Sequence, residues 1–166
     1  MVRNNSLVKL ALLYLVLVFF VIFNIFDVGV IGFSNILPLF DVAAIFYFAV
    51  YKRFISTWFV FLIGLWADSL MGSALGVSSL CYIALISLFS FLNHKMYIRD
   101  NFVQIWQQFI VFCFLFLMSR YLVLCLINGS FYDALDLFVR FVITSLLYVS
   151  LHRLFDYMSR KLMEEY

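Results

Sequence analysis

The sequence has few of the residues on which most soluble proteins and enzymes depend. Only 12% of its 166 residues are charged and it holds a single proline, whereas charged residues make up roughly 25% of a typical soluble domain. Its two histidines and three cysteines show no CxxC or His-paired spacing, so we expect no metal site. P-loop, GxGxxG and Ser-His-Asp patterns are absent, and a net charge of +2 is too small to indicate a nucleic-acid partner.

What the sequence has in excess is apolar side chains. Hydrophobic residues make up 67% of the chain and the mean hydropathy is +1.10, against roughly 45–50% apolar residues in soluble domains. A soluble fold of this length has too little interior to bury so many phenylalanines, leucines, isoleucines and valines. We therefore predict an all-α integral membrane protein whose outer surface faces lipid.

Six apolar runs have or approach the length of a membrane-spanning helix, which is about 20 residues. The predicted spans are residues 7–26, 36–51, 54–71, 74–92, 102–127 and 135–155, and together they form one domain. No small-residue cleavage site follows the first run, so we interpret it as a retained helix rather than a signal peptide. The tail 150–166 has apolar residues at helical spacing and is expected to continue the sixth helix along the inner surface.

Positive charges predict the orientation of these spans. With the N-terminus in the cytoplasm, nine of the eleven lysines and arginines lie on the cytoplasmic side. These nine are Arg3, Lys9, Lys52, Arg53, Lys95, Arg99, Arg153, Arg160 and Lys161. The predicted outer loops hold Asp27 and Asp133 but no lysine or arginine. The positive-inside rule therefore places both termini in the cytoplasm.

Four ionisable residues lie inside the predicted spans: Asp41, Asp68, Arg120 and Arg140. A charge at the bilayer centre costs at least ~2.5–3.5 kcal/mol, so such residues usually face the bundle and find partners. At ~1.5 Å per residue, Asp41 and Arg140 lie roughly 7 Å from the outer ends of their spans. We call the four residues the polar layer and expect its acids and arginines to pair across the bundle, with Asp136 as a possible fifth member. The layer either staples the helices in register or forms a polar site open to the periplasm.

The segment 64–76, GLWADSLMGSALG, is the most specific local pattern. Asp68 is followed four residues later by Gly72 and eight residues later by Gly76. Glycines at this spacing provide a smooth face for close helix approach, and here the run must also reverse the chain. We predict a tight helical hairpin that turns at Met71-Gly72-Ser73, where serines satisfy the backbone groups that the turn frees.

The stretch 38–80 resembles the MreD family of the bacterial rod-shape-determining system. It has Pro38 near the start of the second span, the basic pair Lys52-Arg53, and the run Asp68–Val77, DSLMGSALGV. Trp106-Gln107-Gln108, at the start of the fifth span, is also similar to the family. The remainder of the chain agrees with the family in hydropathy and loop placement.

The resemblance implies a non-enzymatic component of the elongation complex in the bacterial inner membrane, without a cofactor. The implied partners are a single-span MreC-like protein with a periplasmic domain, a RodA-type glycosyltransferase, its penicillin-binding transpeptidase and, indirectly, MreB filaments, besides membrane lipids. The implied bundle is similar to that of the S components of energy-coupling-factor transporters.

That similarity supplies the main alternative, a transporter S component that holds a small ligand in the polar layer. Against it, the first span contains only Ala11 as a small residue and lacks the small-xxx-small surface on which such components dock. A lipid-modifying enzyme is a third hypothesis. It would need clustered acids or histidines, and the layer offers only Asp41 and Asp68 beside two arginines.

Overall fold

A computed structural model describes residues 2–24, 38–52, 55–93, 101–129 and 134–163. Within these ranges every regular element is helical, which confirms the predicted all-α class. The six helices are α1 (Val2–Phe23), α2 (Phe40–Ile45, continued by a π-helical segment, Phe46–Tyr51), α3 (Thr57–Leu70), α4 (Val77–Asn93), α5 (Phe102–Asn128) and α6 (Ala134–Met163). The loop residues used to predict orientation, Arg53, Lys95, Arg99, Asp27 and Asp133, lie outside the described residues.

Among the described residues, two helices are long and apolar enough to cross a membrane, over Phe102–Ile127 and Leu135–Lys161. Only 22% and 28% of their most apolar windows are buried inside the protein, whereas the core helix of a soluble domain is mostly buried. The apolar parts of the other four helices are 10–17 residues long. α6 extends to Met163, so the charged tail continues the last helix at least that far.

The centre of the bundle is α2 with its π-helical segment, where every residue from Asp41 to Val50 is buried. Helix α2 begins only at Phe40, because Pro38 and Leu39 precede it in a non-helical conformation. At its other end the Lys52 N–H donates to the Tyr47 carbonyl, five residues back, at 2.9 Å. Because the segment from Asp41 to Val50 is buried along its whole length, its side chains contact neighbouring residues on all sides. The Phe46 ring, for example, packs against Phe89, Phe109, Phe112 and Tyr148 at centroid distances of 5.3–6.4 Å.

Helices α3 and α4 approach each other at backbone distance. A Cβ added to Gly64 would lie 2.7 Å from Ser79 Cα, a contact that no side chain tolerates without movement. The Ser79 hydroxyl donates to the Phe61 carbonyl at 3.0 Å, from α4 to α3. Gly72 and Gly76 instead lie in the turn between the two helices, with φ of +61° and +94°. They serve the chain reversal, and the smooth face that permits close packing is at Gly64.

Candidate functional site

Asp68 closes the turn between α3 and α4. Its side chain is fully buried, three residues before α3 gives way to the turn. Oδ1 accepts a hydrogen bond from the Ser73 hydroxyl at 3.1 Å, and Oδ2 accepts from the Gly76 and Ser78 backbone N–H groups at 3.0 Å each. Because α4 begins at Val77, the carboxylate satisfies amides at its N-terminus, where the helix dipole favours a negative charge. Asp68 thus fixes the end of one helix to the start of the next.

Asp41 performs a similar task over a longer range. It lies in the first turn of α2 with 3% of its surface exposed. Oδ1 accepts from the Asn24 amide at 3.0 Å, and Oδ2 accepts from the Tyr82 hydroxyl at 2.7 Å. Asn24 follows α1, and the Tyr82 ring of α4 stacks on Phe116 of α5 with centroids 4.6 Å apart. One carboxylate therefore links α1, α2 and α4, and its tyrosine partner extends the link to α5.

A third polar connection joins α2 to α6. The Leu39 N–H, which has no helical partner at the start of α2, donates to the Thr144 hydroxyl at 3.1 Å. That hydroxyl donates in turn to the Arg140 carbonyl at 2.7 Å, one turn back in α6. The Leu39 N–H, which has no partner within α2, is satisfied in this way.

The two arginines of the polar layer are half-buried. Arg120 Nη2 donates to the Met71 sulfur at 3.7 Å, and a thioether is a weak acceptor. Arg140 has contacts of its own and lies within electrostatic range of Arg120, Asp41 and the exposed Asp136. Tyr82 is within range of Asp41, Asp68 and Arg120 together. The structure therefore brings Asp41, Asp68 and Arg120 into one neighbourhood around Tyr82, and Arg140 lies within range of two of these three residues.

The hydrogen-bond partners of the two acids differ from the expected ones. Among the described residues, neither Asp41 nor Asp68 forms an ion pair with an arginine; the ion pair that the structure shows joins Arg160 to Asp156 at 2.8 Å. The turn after α3 supplies amide and hydroxyl donors beside Asp68, and Tyr82 and Asn24 supply them beside Asp41. These donors occupy both oxygens of each carboxylate.

Sequence reasoning missed Tyr82, Asn24 and Thr144 as members of this network. Tyrosine is counted among the hydrophobic residues, so Tyr82 does not stand out within the fourth predicted span. A buried tyrosine hydroxyl nearly always needs a partner, and a tyrosine in the middle of a span was the signal available. Asn24, at the end of the first span, was a second one.

A groove opens between α5 and α6, and neither Arg120 nor Arg140 is among its lining residues. Its volume is about 220 Å³. From α5 it is lined by Phe114, Leu117, Met118 and Tyr121. From α6 it is lined by Leu137, Phe138 and Phe141. It is almost wholly apolar, and Phe138 is 66% exposed at its edge.

At the opposite end of α2 lies an aromatic cluster around His152. The imidazole is 8% exposed, and its Nδ1 lies 3.3 Å from the Tyr148 hydroxyl. Four rings surround it at centroid distances of 5.1–5.9 Å, those of Tyr47, Tyr51, Phe102 and Tyr148. The Tyr47 hydroxyl donates to Asp156 at 3.1 Å. This cluster fixes the end of α2 to α6 chiefly through aromatic packing.

In the part of the chain that the structure describes, no group of three His, Cys, Asp or Glu side chains could hold a metal ion. Its polar side chains chiefly connect helices. No protein-family model, curated protein or solved structure matches this chain.

Proposed function

We propose that this chain is a six-span, non-enzymatic protein of the bacterial inner membrane that serves the rod (elongation) complex by binding partner membrane proteins. Both termini are cytoplasmic in this proposal, and the bundle is of the S-component type. The family is the one suggested by the resemblance to MreD. The partners are an MreC-like single-span protein and, with it, the lateral cell-wall synthases.

One observation carries the proposal. The motif responsible for the resemblance, Asp68–Val77, folds as a turn that uses its carboxylate and the Ser73 hydroxyl internally. Two of its leucines face outward, with Leu70 43% exposed and Leu75 72% exposed, whereas Val77 is buried. A turn of this kind offers a fixed shape for a partner to recognise rather than a reactive group.

The exposed surface supports a location in the membrane. Large apolar side chains are exposed on several helices, such as Leu15 on α1, Leu62 on α3, Leu122 on α5 and Leu146 on α6, each 59–65% exposed. Soluble monomers rarely expose large contiguous apolar patches, whereas lipid is a favourable environment for these residues. The shorter helices would complete their spans with flanking residues.

The test is purification of the tagged protein from its own membranes in mild detergent, with mass spectrometry of the proteins that accompany it. We expect a single-span protein with a periplasmic domain, together with cell-wall synthases. Leu75→Asn should reduce that recovery about tenfold, which corresponds to one well-packed contact. Leu126→Asn is the matched control, because Leu126 is 84% exposed near the end of α5 and lies outside the hairpin.

Two other results would redirect the proposal. Recovery of a pair of ATPases with a helical coupling subunit would identify an S component, and the polar layer would then become its candidate ligand site. Equal loss of partners in both leucine variants would exclude the hairpin as the docking surface. Reporter fusions after Tyr166 and within residues 93–101 test the topology independently, and both should give cytoplasmic signals.

A further inference from the structure

The guanidinium of Arg120 lies at the turn that joins α3 to α4, although Arg120 itself belongs to α5. Its Nη2 donates to the sulfur of Met71, the residue at which α3 ends, at 3.7 Å. Cys81 and Tyr82, in the second turn of α4, lie within the electrostatic range of both Arg120 and Asp68. The hairpin therefore carries a positive charge that its own sequence does not contain.

The acceptors beside this guanidinium are weak or already used. A guanidinium has five N–H donors, and its strongest hydrogen bonds are formed with carboxylates and phosphates, whereas a thioether is a weak acceptor. The nearby Asp68 carboxylate already accepts three hydrogen bonds from its own turn. Among the described residues no carboxylate forms an ion pair with Arg120. An anionic acceptor from another molecule would satisfy donors that the bundle leaves open.

The surface around the guanidinium is apolar and open. Leu70 and Leu75 are exposed on the turn, and Met71 and Arg120 are half-buried beside them. A Cβ added to Gly72 would have no atom within 4 Å, so no described part of the chain covers the turn at that point. The hairpin surface thus combines exposed leucines with one cation at their edge.

A carboxylate on an apolar protein segment fits this surface better than a lipid phosphate does. In the predicted topology the turn lies at the outer end of its two spans, at the level of the lipid headgroups. Lipid tails lie deeper than this level and would leave Leu75 uncovered. An apolar protein segment would cover the leucines, and an acidic side chain on that segment would meet the guanidinium.

We propose that Arg120 is the charged contact of the hairpin surface and pairs with an Asp or Glu side chain in an apolar segment at the outer end of a partner protein's span. Leu70 and Leu75 pack against the same segment. This inference rests on the proposed function, because it takes the hairpin as the docking surface, and it adds the chemistry by which the partner is recognised. It also explains why a charge is kept inside an apolar span at this position.

The test begins by locating the segment that lies against the turn. p-Benzoylphenylalanine replaces Leu75 in the full chain, in its own membranes, and mass spectrometry identifies the peptide to which irradiation links it. We expect one apolar segment that contains an Asp or Glu. The same replacement at Leu126, which is 84% exposed near the end of α5, is the matched control and should not link to that segment.

The second step exchanges the charges of the pair. Arg120→Glu should lower the yield of the crosslink at least about tenfold, because a desolvated charge is left facing a like charge. Replacement of the partner's Asp or Glu by Lys should restore the yield in that background. Arg153→Gln removes an exposed arginine of α6 and should leave the yield unchanged.

Folding of the variants is followed by their melting temperatures, because Arg120 is half-buried. Should Arg120→Glu fail to fold, the partner side of the pair still decides the question. Replacement of the partner's Asp or Glu by the corresponding amide leaves this chain intact, and it should lower the yield at least about tenfold as well.

The outcomes separate this inference from the proposed function. A linked segment with the expected charge dependence, but from a protein outside cell-wall synthesis, would support the inference and contradict the function. Recovery of the cell-wall synthases with a crosslink that is indifferent to the charge exchange would do the reverse. A linked segment without an acidic residue, linkage to lipid alone, or no link at Leu75 would also overturn the inference.

Discussion

The bundle contains two consecutive helix pairs that are joined in opposite ways. Helices α3 and α4, of 14 and 17 residues, meet through small residues and a polar turn. Helices α5 and α6, of 27 and 30 residues, meet through large rings. Phe109 and Tyr148 stack with centroids 3.7 Å apart, and Phe114 meets Phe141 at 5.9 Å. The first pair leaves no room between its backbones at Gly64, and its groove is lined by residues away from that glycine, Thr57, Trp58, Phe61 and Ile83. The groove of the second pair is lined by residues of both helices around Leu117 and Leu137.

The two pairs therefore differ in how closely their helices approach each other and in how much space lies between them. A pair held at backbone distance, with a carboxylate that fixes the turn, has one arrangement and offers its exterior as a constant shape. A pair separated by aromatic side chains can hold a guest between its helices. The proposed partner surface lies on the first pair, beside the turn that the Asp68 carboxylate fixes.

Removal of the Asp68 carboxylate should have the largest effect on this contrast. In Asp68→Ala the Gly76 and Ser78 amides lose their acceptor, and the Ser73 hydroxyl keeps only the backbone carbonyl of residue 68, at 3.4 Å. Each buried unsatisfied donor costs roughly 1–3 kcal/mol. We expect the free energy of unfolding to fall by more than about 3 kcal/mol in detergent, measured by denaturant titration. Asp136→Asn is the control, because Asp136 is exposed in the first turn of α6 and should cost below about 1 kcal/mol. Equal losses would mean that the turn is not fixed by Asp68.

The second-largest loss of stability is expected from a single methyl group added at Gly64. Gly64→Ala places a Cβ 2.7 Å from Ser79 Cα, so α3 and α4 must separate, and overpacking of this kind costs roughly 1–3 kcal/mol. Thermal unfolding of the purified variant measures the loss. Ala84→Ser is the control, since Ala84 is exposed on α4 and its change should stay within about 0.5 kcal/mol. Unchanged thermal unfolding of Gly64→Ala would show that α3 and α4 can accommodate a methyl group at their closest approach.

Loss of the Tyr82 hydroxyl tests the link between the hairpin and the rest of the bundle. Tyr82→Phe keeps the ring on Phe116 but removes the donor to Asp41, and we expect a loss of about 1–2 kcal/mol. Tyr157→Phe, at a tyrosine that is 65% exposed, should be neutral. Chemical denaturation of both variants under the same conditions compares them. If Tyr82→Phe left the free energy of unfolding unchanged, the hydrogen bond from Asn24 would be the one through which Asp41 stabilises the bundle.

The helices themselves could largely be predicted from the sequence, because the apolar runs and their breaks are properties of neighbouring residues. The predicted fifth span, 102–127, falls within α5, and the predicted turn at Met71-Gly72-Ser73 lies where α3 ends. Within the described ranges, the fifth and sixth helices are also the two that have the length and hydropathy of a span. The six-span topology itself stays a prediction.

The contacts inside the polar layer could not be predicted, because they depend on which residues face each other across the bundle. Opposite charges suggested that the acids would pair with Arg120 and Arg140. The structure gives Asp68 the amides of its own turn, eight and ten residues ahead, and gives Asp41 a tyrosine 41 residues away. The π-helical segment had no signal in hydropathy, since it changes the hydrogen-bond register and not the residue types.

The smallest effect is expected where the largest side chain is added. Leu137→Trp enlarges a residue that lines the α5–α6 groove, and the open space should accept the indole with a change of unfolding free energy within about 1 kcal/mol. This is less than the cost of one methyl group at Gly64, although the added volume is far greater. Side-by-side thermal unfolding of the two variants gives the comparison directly. If Leu137→Trp proved the more harmful change, the groove would be closed in the working protein and the two helix pairs would be packed alike.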